Sequence, residues 1–137
     1  MNRRWAGLGI CLIAGVATAD DISGKSVFVC TAWHAVNCTT AGPCEPTEAW
    51  RLNMPDFLKV DLDAREFATL PGSEVTRFVP VESIARNEGR IILSGSQGAR
   101  GFNWVINEST GEGTLAIVSD TTAITLFTAC AAADALR

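Results

Sequence analysis

Cys30 and Cys130 stand one hundred residues apart, the first in the earliest strand-like segment and the second at the end of the last. A bond between them would tie the two ends of a domain together. Two further cysteines, Cys38 and Cys44, lie six apart in a polar stretch that contains Gly42 and Pro43. Four cysteines allow three pairings, and the favoured one is Cys30 with Cys130 and Cys38 with Cys44. Closing a loop of about 100 residues stabilises a fold by roughly 4 to 5 kcal/mol in the chain-entropy picture, and usually by less in practice.

Disulfides of this kind belong to exported chains, and the N-terminus reads as a secretory signal. Arg3 and Arg4 supply a positive region, Trp5 to Val16 is an uncharged apolar run, and Ala17-Thr18-Ala19 offers the small residues of a cleavage site. The fifth cysteine, Cys11, lies inside that run and leaves with it. The run is too short to span a bilayer, which takes about 20 apolar residues. The expectation is residues 1–19 as signal and residues 20–137 as a single periplasmic or extracellular domain, with no stable membrane insertion after cleavage. Losing Arg3 and Arg4 lowers eleven basic residues to nine against fifteen acidic ones, a net charge of −6. A dispersed acidic surface favours solubility and argues against nucleic acid or an anionic membrane as partner.

Alternation of apolar and polar residues marks strands along most of the mature chain. Lys25 to Trp33 reads as the first, with Phe28, Cys30 and Ala32 on one side. From His34 to Asp56 the period is lost, so a long loop is expected, with a helical turn near Pro46 to Leu52. Phe57 to Leu62, Glu66 to Leu70, Val75 to Ile84 and Arg90 to Ser94 follow. Asp63-Ala64-Arg65, Pro71-Gly72-Ser73 and Asn87-Glu88-Gly89 are the turns between them. Pro80 signals an edge, a bulge or a break. Arg100 to Asn107 is the clearest strand, with Phe102, Trp104 and Ile106 on one face. Thr114 to Val118 and Ala123 to Cys130 complete about seven strands joined mostly by short turns. That pattern predicts an all-β fold: a small antiparallel meander closed or nearly closed into a barrel and stapled by disulfides, with a two-sheet sandwich as the alternative. No crossover-helix pattern points to a parallel sheet.

The residues are poor in catalytic groups. His34 is the only histidine, and no Gly-x-Ser-x-Gly elbow accompanies it. Asp61 and Asp63 share a strand face, but acids are ordinary on a solvated face, and glycoside hydrolysis needs two carboxyls flanking a cleft. No metal site is expected, because an oxidising compartment favours bridges over thiolate ligands; calcium finds no run of oxygen ligands near Asp56, and no cofactor is indicated. Gly95, Gly98 and Gly101 flank Gln97 and Arg100 without the lysine of a phosphate loop. Ser94, Ser96, Gln97 and Arg100 instead make a candidate binding loop near Trp104, against the plainer reading of a polar hairpin turn. Trp33 and Trp50 flank the stapled loop: either they pack it onto the sheet or, exposed together, they form an aromatic patch for protein or glycan contact. Arg77, among Val75, Val79 and Val81, needs a partner or lines a polar cavity if that face is interior; a register change near Pro80 is the simpler account.

In layout the chain resembles the bacterial periplasmic inhibitors of c-type lysozyme. Phe28-Val29-Cys30 and Cys130 are similar in placement to that family's early and late paired cysteines, and Ser94-Gly95 with Gly98-Ala99-Arg100 is similar to its loop. The family's loop continues into a tyrosine where this chain has Gly101-Phe102, and the Cys38–Cys44 region is foreign to the pattern. The resemblance implies a cationic cell-wall-degrading enzyme as partner, which the acidic charge suits. The expected function is therefore that of a non-catalytic binding or accessory protein for an envelope or extracellular protein. A small-molecule or lipid carrier with a barrel cavity and a small carboxylate-dependent hydrolase are the alternatives.

Overall fold

The computed structural model describes residues 19–136; the expected leader, with Arg3, Arg4 and Cys11, lies outside the described residues except for Ala19. These fold into ten strands: β1 (Val27–Thr39), β2 (Glu45–Thr47), β3 (Leu58–Asp61), β4 (Glu66–Thr69), β5 (Phe78–Pro80), β6 (Ser83–Asn87), β7 (Arg90–Gln97), β8 (Arg100–Asn107), β9 (Glu112–Val118) and β10 (Thr122–Ala132). Two single turns of 3-10 helix, Ala49–Leu52 and Ala133–Leu136, are the only helical elements among them.

All pairings are antiparallel, in the order β5-β4-β3-β1-β10-β9-β8-β7-β6, with β2 added to β1 alone. The two outermost strands of that order, β5 and β6, are consecutive in the chain and separated only by Val81 and Glu82. A sheet whose opposite edges are joined by two residues must coil back on itself. The Val81 N–H donates to the Arg65 carbonyl at 2.9 Å, extending the β4 side, and the Glu82 N–H donates to the Ser94 carbonyl at 2.9 Å, beginning the β7 side. The result is a small antiparallel barrel, closed or nearly closed, with Phe78–Asn87 as its seam. Pro80 ends β5 where pairing passes from one neighbour to the other, which is where a residue without an N–H is tolerated.

Cys30 and Cys130 are directly opposed in the β1–β10 ladder and are bonded, as are Cys38 and Cys44. The long-range bridge thus joins the first and last full strands where they already pair. Two disulfides are compatible with an oxidising compartment, and among the described residues no helix is long and apolar enough to cross a membrane.

The expected loop from His34 to Asp56 is corrected by the structure: β1 continues to Thr39, and β2 pairs with it through Ala35, Val36 and Asn37. The reason is a bulge. Ala32 faces Thr128 and His34 faces Phe127, so Trp33 has no partner across the ladder. One inserted residue shifts the two-residue period. Phe28 and Cys30 are buried before it and Ala35 after it, so the even-numbered face gives way to the odd. The expected strand from Val75 likewise begins only at Phe78. Val79 and Val81 are buried while Val75 is exposed. Gly95 to Gln97 belong to β7, which leaves Gly98 and Ala99 as the hairpin turn.

Trp104 fills the middle of the barrel with no exposed surface, and Phe67 packs edge-on against both Trp104 and Phe102, with ring centroids 5.6 and 5.2 Å apart. Offset and edge-to-face contacts of this kind add about 0.5–1.5 kcal/mol each beyond area burial. Asp20 to Gly24, polar in sequence apart from one residue, closes one end of the barrel. Ile22 is fully buried, its N–H donates to the Glu108 carbonyl at 2.8 Å, and the Asp20 N–H donates to the Cys130 carbonyl at 3.0 Å. Beside it Gly111 has φ +71° and approaches the Asp20 and Cys130 carbonyls so closely that no side chain fits there. The Ser23 hydroxyl and N–H hold the exposed Asp21 carboxyl below its ordinary value, which fixes the turn that follows.

Candidate functional site

The bulge that lengthens β1 also decides where Trp33 goes. An extra residue in a ladder is unpaired and its side chain is re-aimed, and Trp33 stands 67 % exposed on the outside of the barrel. Its indole neighbours the His34 and Phe127 rings, with centroids 5.9 and 6.0 Å away, and those two rings are 5.8 Å from each other. Three rings therefore brace one another where β1 meets β10.

Trp50 is delivered to the same region by the stapled loop. The Cys38–Cys44 bridge turns the chain at the end of β1, and β2 lies back along β1 as far as Ala35. The chain then enters the 3-10 turn Ala49–Leu52. The Arg51 N–H donates to the Glu48 carbonyl at 3.0 Å and the Met54 N–H to the Ala49 carbonyl at 3.1 Å, while Asn53 ends the turn in the left-handed region at φ 56°. Trp50 projects from this turn 63 % exposed, with the Arg51 guanidinium 4.7 Å from its ring centre. Stacking of this kind orients the indole while leaving its other face free.

Trp33 and Trp50 line one open cleft of about 570 Å³. Its walls carry His34, Glu48, Arg51 and Asp56 as polar groups, with Pro46 and Pro55 as stiff backbone supports. The two tryptophans singled out from sequence are thus brought together and left available, rather than being consumed in packing the loop onto the sheet. Glu48 gives no signal in the sequence, Asp56 bears there only on calcium, and His34 stands as a lone histidine. Only the way β2 folds back along β1 places them in the same hollow.

The hairpin residues fall elsewhere. Ser94 is half-buried in β7, and its carbonyl takes the Glu82 N–H. The Ser96 hydroxyl donates to the Glu82 carboxylate at 2.6 Å, and the Gln97 amide donates to the Phe78 carbonyl at 3.3 Å. These three side and main chains fasten β7 to the seam. Gln97 and Arg100 also border a second hollow at the mouth of the barrel, away from the tryptophans. Asp61 accepts the Ala64 N–H at 2.9 Å and lies 4.0 Å from the Lys59 amine, so it caps the turn after β3. Among the described residues no three histidine, cysteine or acidic side chains are grouped to hold a metal ion.

Compared with known proteins, the chain matches no family model, no curated protein and no solved structure.

Proposed function

We propose that this protein is an exported, non-catalytic binding protein that holds a carbohydrate chain in the Trp33–Trp50 cleft. The observation that carries the reading is the exposure of two indoles, at 67 % and 63 %, on one polar hollow. Large aromatic side chains are costly to leave in water unless something covers them. The C–H face of a pyranose ring stacks on an indole, and its hydroxyls need donors and acceptors beside that stack. His34, Glu48, Arg51 and Asp56 supply both. The polar lining and the open shape favour such a ligand over a wholly apolar one.

The test is titration of the secreted protein with soluble oligosaccharides, including peptidoglycan fragments, read by tryptophan fluorescence and calorimetry. The wild type is expected to give saturable binding with a change in emission. Trp33→Ala and Trp50→Ala are each expected to abolish it. Recovery of the sugar unchanged separates binding from hydrolysis, which in this cleft would have to use Glu48 and Asp56. A parallel assay of c-type lysozyme inhibition addresses the enzyme-inhibitor form of the binding reading. Failure of every sugar to bind, or binding that depends on neither tryptophan, overturns the carbohydrate proposal.

A further inference from the structure

At the end of the barrel opposite Ile22, the interior opens into a hollow of about 420 Å³. The strand β8 spans the two ends, with Asn107 beside the Glu108 carbonyl that holds Ile22 and Arg100 at the open mouth. The floor is apolar, formed by Leu58, Phe67, Val79, Phe102, Leu115 and Ile117. The rim carries two guanidinium groups, Arg77 and Arg100. The ion pairs among the described residues are Lys25–Asp134, Lys59–Asp61 and Arg86–Glu108, so neither rim arginine has a carboxylate within 4.0 Å. The half-buried Arg77 side chain instead points a nitrogen at the Met54 sulfur, 3.8 Å away. A thioether is a weak acceptor, and a partly desolvated cation without a counter-charge is costly. Arg86 is the one arginine in an ion pair among the described residues, so what sets Arg77 and Arg100 apart is their place: both border the same apolar-floored hollow, where an anionic head and an apolar tail can be met together.

We propose that the barrel mouth binds a single-chain amphipathic anion, its apolar tail on the Phe67–Phe102 floor and its carboxylate or equivalent head at Arg77 and Arg100. The hollow falls in the size range of small-molecule sites, about 300–1,000 Å³. Trp33 and Trp50 do not line it, although the segment from Ala49 to Asp56 borders the tryptophan cleft on one side and, through Leu52, Asn53 and Met54, this hollow on the other.

The experiment uses sodium dodecanoate below its micellar concentration, titrated calorimetrically into the mature secreted protein and followed by native mass spectrometry. Dodecanol and dodecyltrimethylammonium are the neutral and cationic controls. The proposal requires one dodecanoate per chain, with both controls weaker by about tenfold or more, the scale of a charge-assisted hydrogen bond. Arg77→Gln with Arg100→Gln should weaken dodecanoate by a similar factor, and Trp33→Ala should leave it unchanged. Should the double variant fail to fold, Arg100→Gln alone, at an exposed position, serves as the test and should still weaken binding. Absence of saturable uptake, equal binding of dodecanol, or indifference to the arginine substitutions overturns the proposal. So does sedimentation with phosphatidylglycerol vesicles by a protein that takes up no dodecanoate, since that would place the anion recognition at a lipid surface.

Discussion

The indole N–H of Trp104 donates to the hydroxyl of Thr128, 3.1 Å away, and both residues are buried. Among the described residues Thr128 is the one buried polar side chain of the core, and it sits on β10 facing Gly113 of β9. A side chain at Gly113 would place its first carbon 2.8 Å from the Thr128 hydroxyl, so the glycine is the space in which this bond is made. Replacing Thr128 by Val keeps the shape and leaves the indole N–H unsatisfied, which costs about 1–3 kcal/mol. Urea unfolding should show a lower midpoint with an unchanged slope. Gly113→Ala should lose stability as well, but its added carbon meets the Val105 carbonyl at 2.9 Å besides the Thr128 hydroxyl, so Thr128→Val alone tests the bond, and an unaltered midpoint in that variant would show that the bond contributes nothing.

The Cys30–Cys130 bridge spans 100 residues between strands that are already paired. The bridge therefore acts chiefly on the unfolded chain, and its removal by Cys30→Ser with Cys130→Ser should cost about 2–5 kcal/mol. The Cys38–Cys44 bridge closes only six residues, so its loss should cost less globally and act instead on the cleft. Thermal melts and oligosaccharide titrations of the two double variants separate these effects. The first should lower the melting temperature most, and the second should weaken sugar binding most.

Ile22 seals the barrel end, and the Asp20 N–H bonds to Cys130, the residue that carries the long bridge. Cleavage after Ala19 would leave all of these contacts in the mature protein, whereas cleavage three residues later would remove them. Ile22→Ala should therefore destabilise by about 2–5 kcal/mol. Where the leader directs export and is cleaved after Ala19, N-terminal sequencing should begin at Asp20, and a chain beginning at Ser23 with undiminished stability would contradict the sealing role.

The strands legible in the sequence are those whose two faces see different surroundings throughout. In β8, Phe102, Trp104 and Ile106 are buried while Asn103 and Val105 are exposed, and the expected bounds of Arg100 to Asn107 match the structure. The barrel and both bridges followed from short turns and cysteine placement. Three features did not. The bulge at Trp33 reverses the phase of β1, so a continuous strand reads as loss of period. Phe78–Asn87 pairs with β4 and then β7, a change of neighbour that leaves no periodic mark. Ile22 is a single apolar residue among polar ones, and its burial depends on Gly111 and Cys130, far away in sequence. At the candidate site the tryptophans were visible as residue types, but their joint exposure depends on the bulge and on the return of β2 along β1.

The exposed and buried tryptophans should therefore part company when each is removed. Trp50 gives the fold little packing, and Trp50→Ala should change stability by no more than about 0.5 kcal/mol, the usual range for surface positions; Trp33→Ala also loses the His34 and Phe127 ring contacts and should cost about 0.5–1.5 kcal/mol. Trp104→Ala should cost about 3–5 kcal/mol, as for large side chains removed from a core. Emission spectra supply the second readout: in the wild type the red-shifted component belongs to Trp33 and Trp50, and only that component should respond to an acrylamide quencher or to an oligosaccharide. A residue held for packing would show the reverse, with loss of stability and no loss of binding. If Trp33→Ala or Trp50→Ala unfolds the protein to the extent that Trp104→Ala does, the cleft is part of the scaffold and its indoles are not free to receive a ligand.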